Sequence, residues 1–346
     1  MKLRMTPRSP LLRMCWDFTA QCKIWTGLHA NKNDARQNPF QIRPHGTDTS
    51  IIRPLTLNNV EKFLQTYDTF MLDCDGTLYG TDHVSSIPNV PEAISKLRNI
   101  GKHLLYVTNN SMHSNERYVN KFREVGFEAH ESDIFGVANA AAVYLRDIAN
   151  IDGKVYLVGG QGMKQELDKH HLVNFGVGPD PDQASWDPKQ LLQMEFRDNV
   201  EAVLVGFDEH FHYNKIYKAV SYLCNPNCLF VATNIVETNV KIGEGRMQPT
   251  TGALIQAISV PAKREPLVIG KPGTLLLDCI RHKHPSIDLK RTVFIGDGLR
   301  SDIAFANNIG VDSVLVLTGS GALDKIDSPE VTPTYVMDSF ELFANI

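Results

Sequence analysis

Four runs of consecutive apolar residues in this 346-residue chain end abruptly in polar or charged side chains. Phe70-Met71-Leu72 meets Asp73-Cys74-Asp75-Gly76-Thr77, and Leu104-Leu105-Tyr106-Val107 meets Thr108-Asn109-Asn110-Ser111. Leu267-Val268-Ile269-Gly270 meets Lys271-Pro272, and Thr292-Val293-Phe294-Ile295-Gly296 meets Asp297-Gly298, with Asp302 close behind. Continuous apolar, β-branched runs read as strands covered on both faces, the habit of parallel sheets. Open α/β sheets gather ligands at the carboxyl ends of their strands. The four ends deliver two acidic pairs, a hydroxyl beside two amides, and one lysine. Each has an ordinary reading too: Asp-Gly-Thr as an Asx turn, Thr-Asn-Asn as a helix cap, Lys271 as a solvated loop residue. Recurrence at four strand ends favours a site.

Spacing gives the domain plan. The steps from Asp73 to Thr108 and from Lys271 to Asp297 are each close to the ~30 residues of one strand–helix–strand crossover. About 160 residues separate Thr108 from Lys271, far more than one crossover needs. Lys154–Gly159, Ala202–Gly206 and Cys228–Thr233 read as strands within that stretch, with a helical pattern around Tyr213–Leu223. The insert is therefore a further α/β unit, entered after a helix over Val137–Arg146 and left near Pro261. The plan is an extension over residues 1–56, expected to be disordered, a core over 57–142 and 263–346, and an insert over 143–262. Tyr118, Phe122 and Val125 predict a helix from Ser111 to Gly126, with its N-terminal amides beside any anion at Thr108 and Gly126 as its C-terminal stop.

Composition limits the classes that remain. No apolar stretch reaches the roughly 18 residues that span a bilayer, so no membrane helix is expected. Six cysteines are too few for a disulfide framework and fit a reducing compartment. Cys74, between the two aspartates, reads as a small buried strand residue. The first 55 residues hold nine basic and three acidic side chains, whereas the whole chain is at −4. The remainder is thus strongly acidic, a poor surface for nucleic acid. The basic head is faintly like a mitochondrial presequence but lacks an amphipathic stripe; a cytoplasmic protein is expected, with mitochondrion as the alternative.

The ordered set DxDGT, Thr-Asn-Asn, Lys and GDxxxxD resembles the haloacid dehalogenase superfamily of phosphotransferases. From about residue 57 onward the chain is similar to its phosphoglycolate phosphatase and pyridoxal phosphatase branch, the 4-nitrophenylphosphatases. Val205-Gly206-Phe207-Asp208-Glu209-His210-Phe211, Cys228–Asn234 and Thr251-Gly252 recur there in this order. The resemblance implies an α/β fold, with a Rossmann-like parallel-sheet core and an inserted α/β cap that roofs the site, and a homodimer formed through the cap. It implies Asp73 as nucleophile, Asp75 as general acid/base, and Thr108, Asn109, Asn110 and Lys271 as the phosphate-binding set. Asp73, the Asp75 carbonyl and Asp297 would hold a metal, supported by Asp302.

Such a site needs a cation in any case. A phosphate dianion beside Asp73, Asp75 and Asp297 is repelled by several kcal/mol at an effective dielectric of about 20, and an all-oxygen donor set suits Mg²⁺. The expected activity is Mg²⁺-dependent hydrolysis of a small phosphate monoester through an aspartyl-phosphate. Interception of that intermediate by another alcohol, as in a phosphotransferase or mutase, uses the same residues. A catalytically silent binding protein is the reading from another class. Eukaryotic relatives place Arg where this chain has Gly298, and here a positive charge stands at Arg300 instead. Pyridoxal phosphatases carry Tyr at Phe207 and a His near Asn239; this chain has neither. That favours 2-phosphoglycolate over pyridoxal 5′-phosphate, with pyridoxal 5′-phosphate or broad 4-nitrophenyl phosphate turnover as alternatives. Phe207 and Asn239 are the cap residues expected to select the substrate.

Overall fold

The computed structural model describes residues 52–80, 86–183, 185–235, 239–319 and 331–346, with residues 239–243 as backbone alone. The extension expected over residues 1–56 lies outside them as far as residue 51. Seven parallel strands form the larger sheet, in the order Arg53–Pro54, Tyr335–Met337, Asp312–Val316, Thr292–Gly296, Thr69–Leu72, His103–Thr108 and Ile134–Gly136. Every residue of the two central strands, Thr69–Leu72 and Thr292–Gly296, is buried. Side chains alternate between faces along a strand, and the apolar clusters divide accordingly. Phe70, Leu72, Leu104, Tyr106, Val293 and Ile295 pack on the side of helix Val90–Asn99 and the C-terminal turn Phe340–Asn345. Met71, Leu105, Val107 and Phe294 face helices Val137–Val143 and Leu275–Lys283.

The inserted unit has its own parallel sheet, ordered Leu267–Val268, Leu229–Ala232, Val200–Val205, Lys154–Val158 and Asn174–Phe175. Tyr156, Val158, Val203 and Val205 pack beneath helices Tyr213–Leu223 and Thr251–Ala262. The opposite face, with Val155, Leu157, Ala202, Leu204 and Val231, joins the same apolar cluster as Met71 and Phe294. One hydrophobic core therefore runs from the floor of the molecule into its roof, and the cap is seated by apolar burial as well as by its chain crossings. The fold is α/β, a Rossmann-like parallel-sheet core carrying an inserted α/β cap.

Three expectations need correction. Leu267–Val268 is an edge strand of the cap sheet, paired with Val231 and Ala232. The continuous run Leu-Val-Ile-Gly implied a strand covered on both faces, but Leu267 is 37% exposed. The chain stays with the cap sheet beyond Pro261 and reaches the core only as it approaches Lys271. Arg53–Pro54 pairs with Tyr335–Val336 at the edge of the core sheet, and Leu55 is buried, so ordered structure starts before residue 57. A two-residue edge strand containing proline carries no periodic signal. Finally, the helix expected from Ser111 begins at Asn115, with Ser114 as its N-cap, and ends at Gly126 in the left-handed conformation at φ 108°.

Candidate active site

Asp73 directly follows the central strand Thr69–Leu72, and its N–H donates to the Ile295 carbonyl at 2.8 Å, the last rung before the two strands part. The chain then turns back on itself: Leu78 N–H donates to Cys74 O at 2.9 Å and Gly76 N–H to Tyr79 O at 2.7 Å. Gly76 adopts φ +82°, and a Cβ there would lie 2.6 Å from Asp297 Oδ2. A Cβ at Gly319 would come within 2.0 Å of the same oxygen. Two glycines from different strand ends thus leave the slot that the Asp297 carboxylate fills, and Thr318 Oγ1 donates to Gly76 O at 2.8 Å to close it. The role of Leu317-Thr318-Gly319 was not foreseen, although it too follows an apolar strand, Asp312–Val316.

Lys271 enters from the opposite side. Its ammonium, 1% exposed, lies 2.6 Å from Asp73 Oδ1 and 2.7 Å from Asp302 Oδ1, and donates to Val107 O at 2.9 Å. The backbone behind it is clipped by Asn109, whose Nδ2 donates to Lys271 O and whose Oδ1 accepts from Lys271 N, both at 2.8 Å. This differs from the expected direct role of Asn109 on phosphate: both ends of its side-chain amide hold the lysine. Asp302 also accepts from Gly298 N–H through Oδ2 at 2.8 Å. Arg300 is exposed. A Cβ at Gly298 would sit 2.1 Å from Ser301 Oγ, so a larger residue there requires Ser301 to move.

Carboxylate oxygens of Asp73, Asp297 and Asp302 lie within 4.8 Å of one another, and all three residues are buried. At that separation each pair of ionised carboxylates repels by about 3–4 kcal/mol at an effective dielectric of about 20, and one ammonium offsets only part of it. Burial first, then Asp302, Asp297 and Asp75, push the Asp73 carboxyl well above its ordinary range, against the pull of Lys271. Burial works against the charge on Lys271, but Asp302 and Asp73 outweigh it and hold its pKa up. A cluster of hard oxygen donors with excess negative charge fits a divalent cation such as Mg²⁺. Asp75 is half-buried, and its Oδ2 accepts from Thr108 Oγ1 at 3.3 Å. Behind it lies Lys121, 5% exposed, with its ammonium 3.7 Å above the Tyr79 ring.

The loop after Thr108 ties the floor to the roof. Thr108 Oγ1 accepts from Asn110 N–H at 3.1 Å, and Asn110 Oδ1 accepts from Met112 N–H at 2.9 Å. That Asx turn postpones the helix. The helix N-terminus is then capped from the cap domain, since Asn115 N–H donates to Glu166 Oε1 at 2.6 Å. Its first amides are not directed at Thr108 as expected. Ser111, the expected start of the helix, instead accepts at Oγ from Phe207 N–H of the cap at 3.1 Å. Phe207 is half-buried, and the next residue, Asp208, is locked by a fully buried ion pair with Lys215 at 2.5 Å. Asn239 begins the hairpin strand Asn239–Gly243, and its side chain lies outside the described residues. Glu166, buried and bonded also to Asn139 Nδ2 at 2.7 Å, had no sequence signal because its partners are remote in the chain.

Comparison with known proteins agrees with this arrangement. Residues 70–173 match the family described as haloacid dehalogenase-like hydrolase, and residues 268–342 match a second, HAD-hydrolase-like description. Glycerol-3-phosphate phosphatase of Homo sapiens is 34% identical over 310 residues, covering 85% of this chain and 95% of that protein. Phosphoglycolate phosphatase 1A, chloroplastic, of Arabidopsis thaliana is 37% identical over 303 residues, covering 87% of this chain and 81% of that protein. Among solved structures, p-nitrophenyl phosphatase from Archaeoglobus fulgidus superposes with a TM-score of 0.68 at 26% identity, covering 81% of this chain and 98% of that one.

Proposed function

The chain belongs to the haloacid dehalogenase-like hydrolases, and from that premise we propose that it is a phosphoric monoester hydrolase acting on small phosphate esters through an aspartyl-phosphate at Asp73. The observation that carries the reading is the Asp73–Lys271–Asp302 bridge, with Asp297 beside it and Asp75 two residues on, in contact with the Thr108 hydroxyl. Asp73, Asp297 and the Asp75 carbonyl would hold Mg²⁺, which supplies positive charge against the phosphate oxygens. Lys271 keeps one Asp73 oxygen in place and adds positive charge toward the incoming phosphate, with Asn109 fixing its backbone. Asp73 attacks phosphorus as the ester oxygen leaves, and Asp75 gives that oxygen a proton. Asp75 then takes a proton from the water that attacks the phosphorus of the aspartyl-phosphate, releasing inorganic phosphate and free Asp73. The Thr108 hydroxyl, in contact with Asp75, and the Asn110 backbone contribute hydrogen bonds at the phosphate.

The preferred substrate in this reading is 2-phosphoglycolate over pyridoxal 5′-phosphate. Phe207 supports it, as an apolar face on a loop held against Ser111, at the position where pyridoxal phosphatases carry Tyr. Glycerol 3-phosphate is the second reading, supported by the names of several vertebrate relatives. Assays of 4-nitrophenyl phosphate with and without chelator test the chemistry. Values of kcat/KM for 2-phosphoglycolate, glycerol 3-phosphate and pyridoxal 5′-phosphate on one preparation test the selection. A higher value for pyridoxal 5′-phosphate overturns the substrate assignment.

The same reading takes residues 143–262 as the body of the cap and the working form as a homodimer through it. Trp186 and Leu192, 87% and 82% exposed on either side of the short cap helix Pro188–Leu191, support such a contact. A cytoplasmic site of action is supported by the free state of the described cysteines, Cys74, Cys224, Cys228 and Cys279. Among the described residues no helix is long and apolar enough to cross a membrane.

A further inference from the structure

At the opposite end of the core sheet from the acidic cluster, two histidines and an aspartate converge. His103 opens the strand His103–Thr108, and at about 3.3 Å per residue it lies about 16 Å from Thr108 at the other end. Asp133 closes the turn Glu131–Asp133 of the first core segment, and His284 follows helix Leu275–Lys283 of the second. One ligand atom from each residue lies within 4.8 Å of those of the other two. His284 Nε2 is 4.0 Å from Asp133 Oδ1, and the two imidazole rings are 5.1 Å apart. Both partners of that near ion pair are partly exposed, 19% for His284 and 25% for Asp133, so an ion and a water can reach them. Phe135 packs at 5.6 Å against the His284 ring and limits its swing.

We propose that His103, Asp133 and His284 form a second cation site, separate from the catalytic one, which takes Zn²⁺ or a similar borderline divalent ion. Two imidazoles and one carboxylate with an open fourth position are a zinc-type donor set, whereas Mg²⁺ prefers oxygen alone. Zinc bonds of about 2.0–2.2 Å require the three ligand atoms to close in by small side-chain rotations, which their partial exposure permits. The competing partners are Ser132 O, 3.0 Å from His284 Nε2, and Ser132 Oγ, 3.3 Å from Asp133 Oδ1. Binding would exchange these two contacts for the ion, with His284 Nε2 turning from the Ser132 carbonyl to the metal. The ion would staple the two core segments that flank the inserted cap. It would stabilise the folded chain by binding it and not the unfolded one, without contact to the reacting groups.

The test is equilibrium dialysis of the full chain against Zn²⁺ in excess Mg²⁺, on the unaltered protein and on His103→Asn and His284→Asn. One zinc per chain is expected in the unaltered protein and loss of that equivalent in each variant, with 4-nitrophenyl phosphate turnover in zinc-free Mg²⁺ unchanged. At zinc about 100-fold above its Kd, Tm should rise by about 4 °C in the unaltered protein only. Zinc should also protect His103 and His284 from diethylpyrocarbonate, read by peptide mass spectrometry on the unaltered chain, which decides the matter even if a variant does not fold. Equal zinc content in all three proteins, no bound zinc, or equal modification with and without zinc would overturn the proposal.

Discussion

The floor of the candidate site and its roof are held by different means. On the floor, Asp73, Lys271 and Asp302 fix one another through buried charge contacts, Asn109 clips the lysine backbone, and two glycines shape the slot for Asp297. Removing Lys271 leaves the buried Asp73 and Asp302 carboxylates without their cation. The roof presents Phe207 on a loop anchored by its own backbone N–H to Ser111 and by the adjacent Asp208–Lys215 pair. None of those anchors uses the Phe207 ring. The floor is therefore fixed several times over, whereas the Phe207 ring, proposed to face the substrate, can change without disturbing these anchors.

That contrast breaks first at Asp73. An amide cannot form an acyl-phosphate, so Asp73→Asn should lower kcat by at least about 1,000-fold, some 4 kcal/mol of barrier, in a protein with unchanged circular dichroism. Activity above a tenth of the unaltered enzyme removes Asp73 from its role. Lys271→Met comes next. It strands Asp73 and Asp302 in a buried site, and breaking a buried pair costs about 3–5 kcal/mol. Urea unfolding should show a lower midpoint in metal-free buffer, and kcat/KM should fall by about 100-fold or more. An unaltered midpoint would mean the bridge contributes nothing to the fold.

Asn109→Leu separates two roles of one residue. If Asn109 acts by holding Lys271, kcat should fall by about 10-fold while inhibition by inorganic phosphate changes little; a large rise in the phosphate inhibition constant would instead place its amide on the substrate. The roof should respond more mildly. Phe207→Tyr is expected to lower the ratio of kcat/KM for 2-phosphoglycolate to that for pyridoxal 5′-phosphate by about 3–10-fold, with 4-nitrophenyl phosphate turnover within about two-fold. A collapse of all three activities would show that the ring supports the floor. The smallest effect is expected on starting the chain at Ile52, which keeps the Arg53–Pro54 strand and buried Leu55. Its kcat/KM should stay within about two-fold of the full chain.

The floor was legible in sequence because Asp73, Thr108, Lys271 and Asp297 each stand at the end of an apolar run, with Asp75 two residues after Asp73 and Asp302 five after Asp297. What the runs did not reveal was the sheet each belongs to. Leu267–Val268 has the composition of a core strand and yet borders the cap, since composition reports burial but not partners. The helix after Thr108 was placed too early because Ser111 and Ser114 are both plausible caps. The choice rests on the Asx turn from Asn110 and on Glu166, a cap residue whose partner amide is far away in the chain. Cross-domain contacts of that kind leave no periodic trace in one sequence. The roof was the least legible region for the same reason: its anchors are backbone groups and one buried pair, and the side chain of Asn239 lies outside the described residues.

The most direct test of the central claim is chemical trapping at Asp73. Enzyme mixed with saturating 4-nitrophenyl phosphate and Mg²⁺ is quenched in acid during turnover, reduced with borohydride, digested, and analysed by peptide mass spectrometry. An acyl-phosphate is reduced where a free carboxylate is not, so the account predicts conversion of Asp73 to homoserine, dependent on substrate and absent from Asp75, Asp297 and Asp302. Substrate-dependent reduction at another carboxylate, or turnover with none at Asp73, would contradict it.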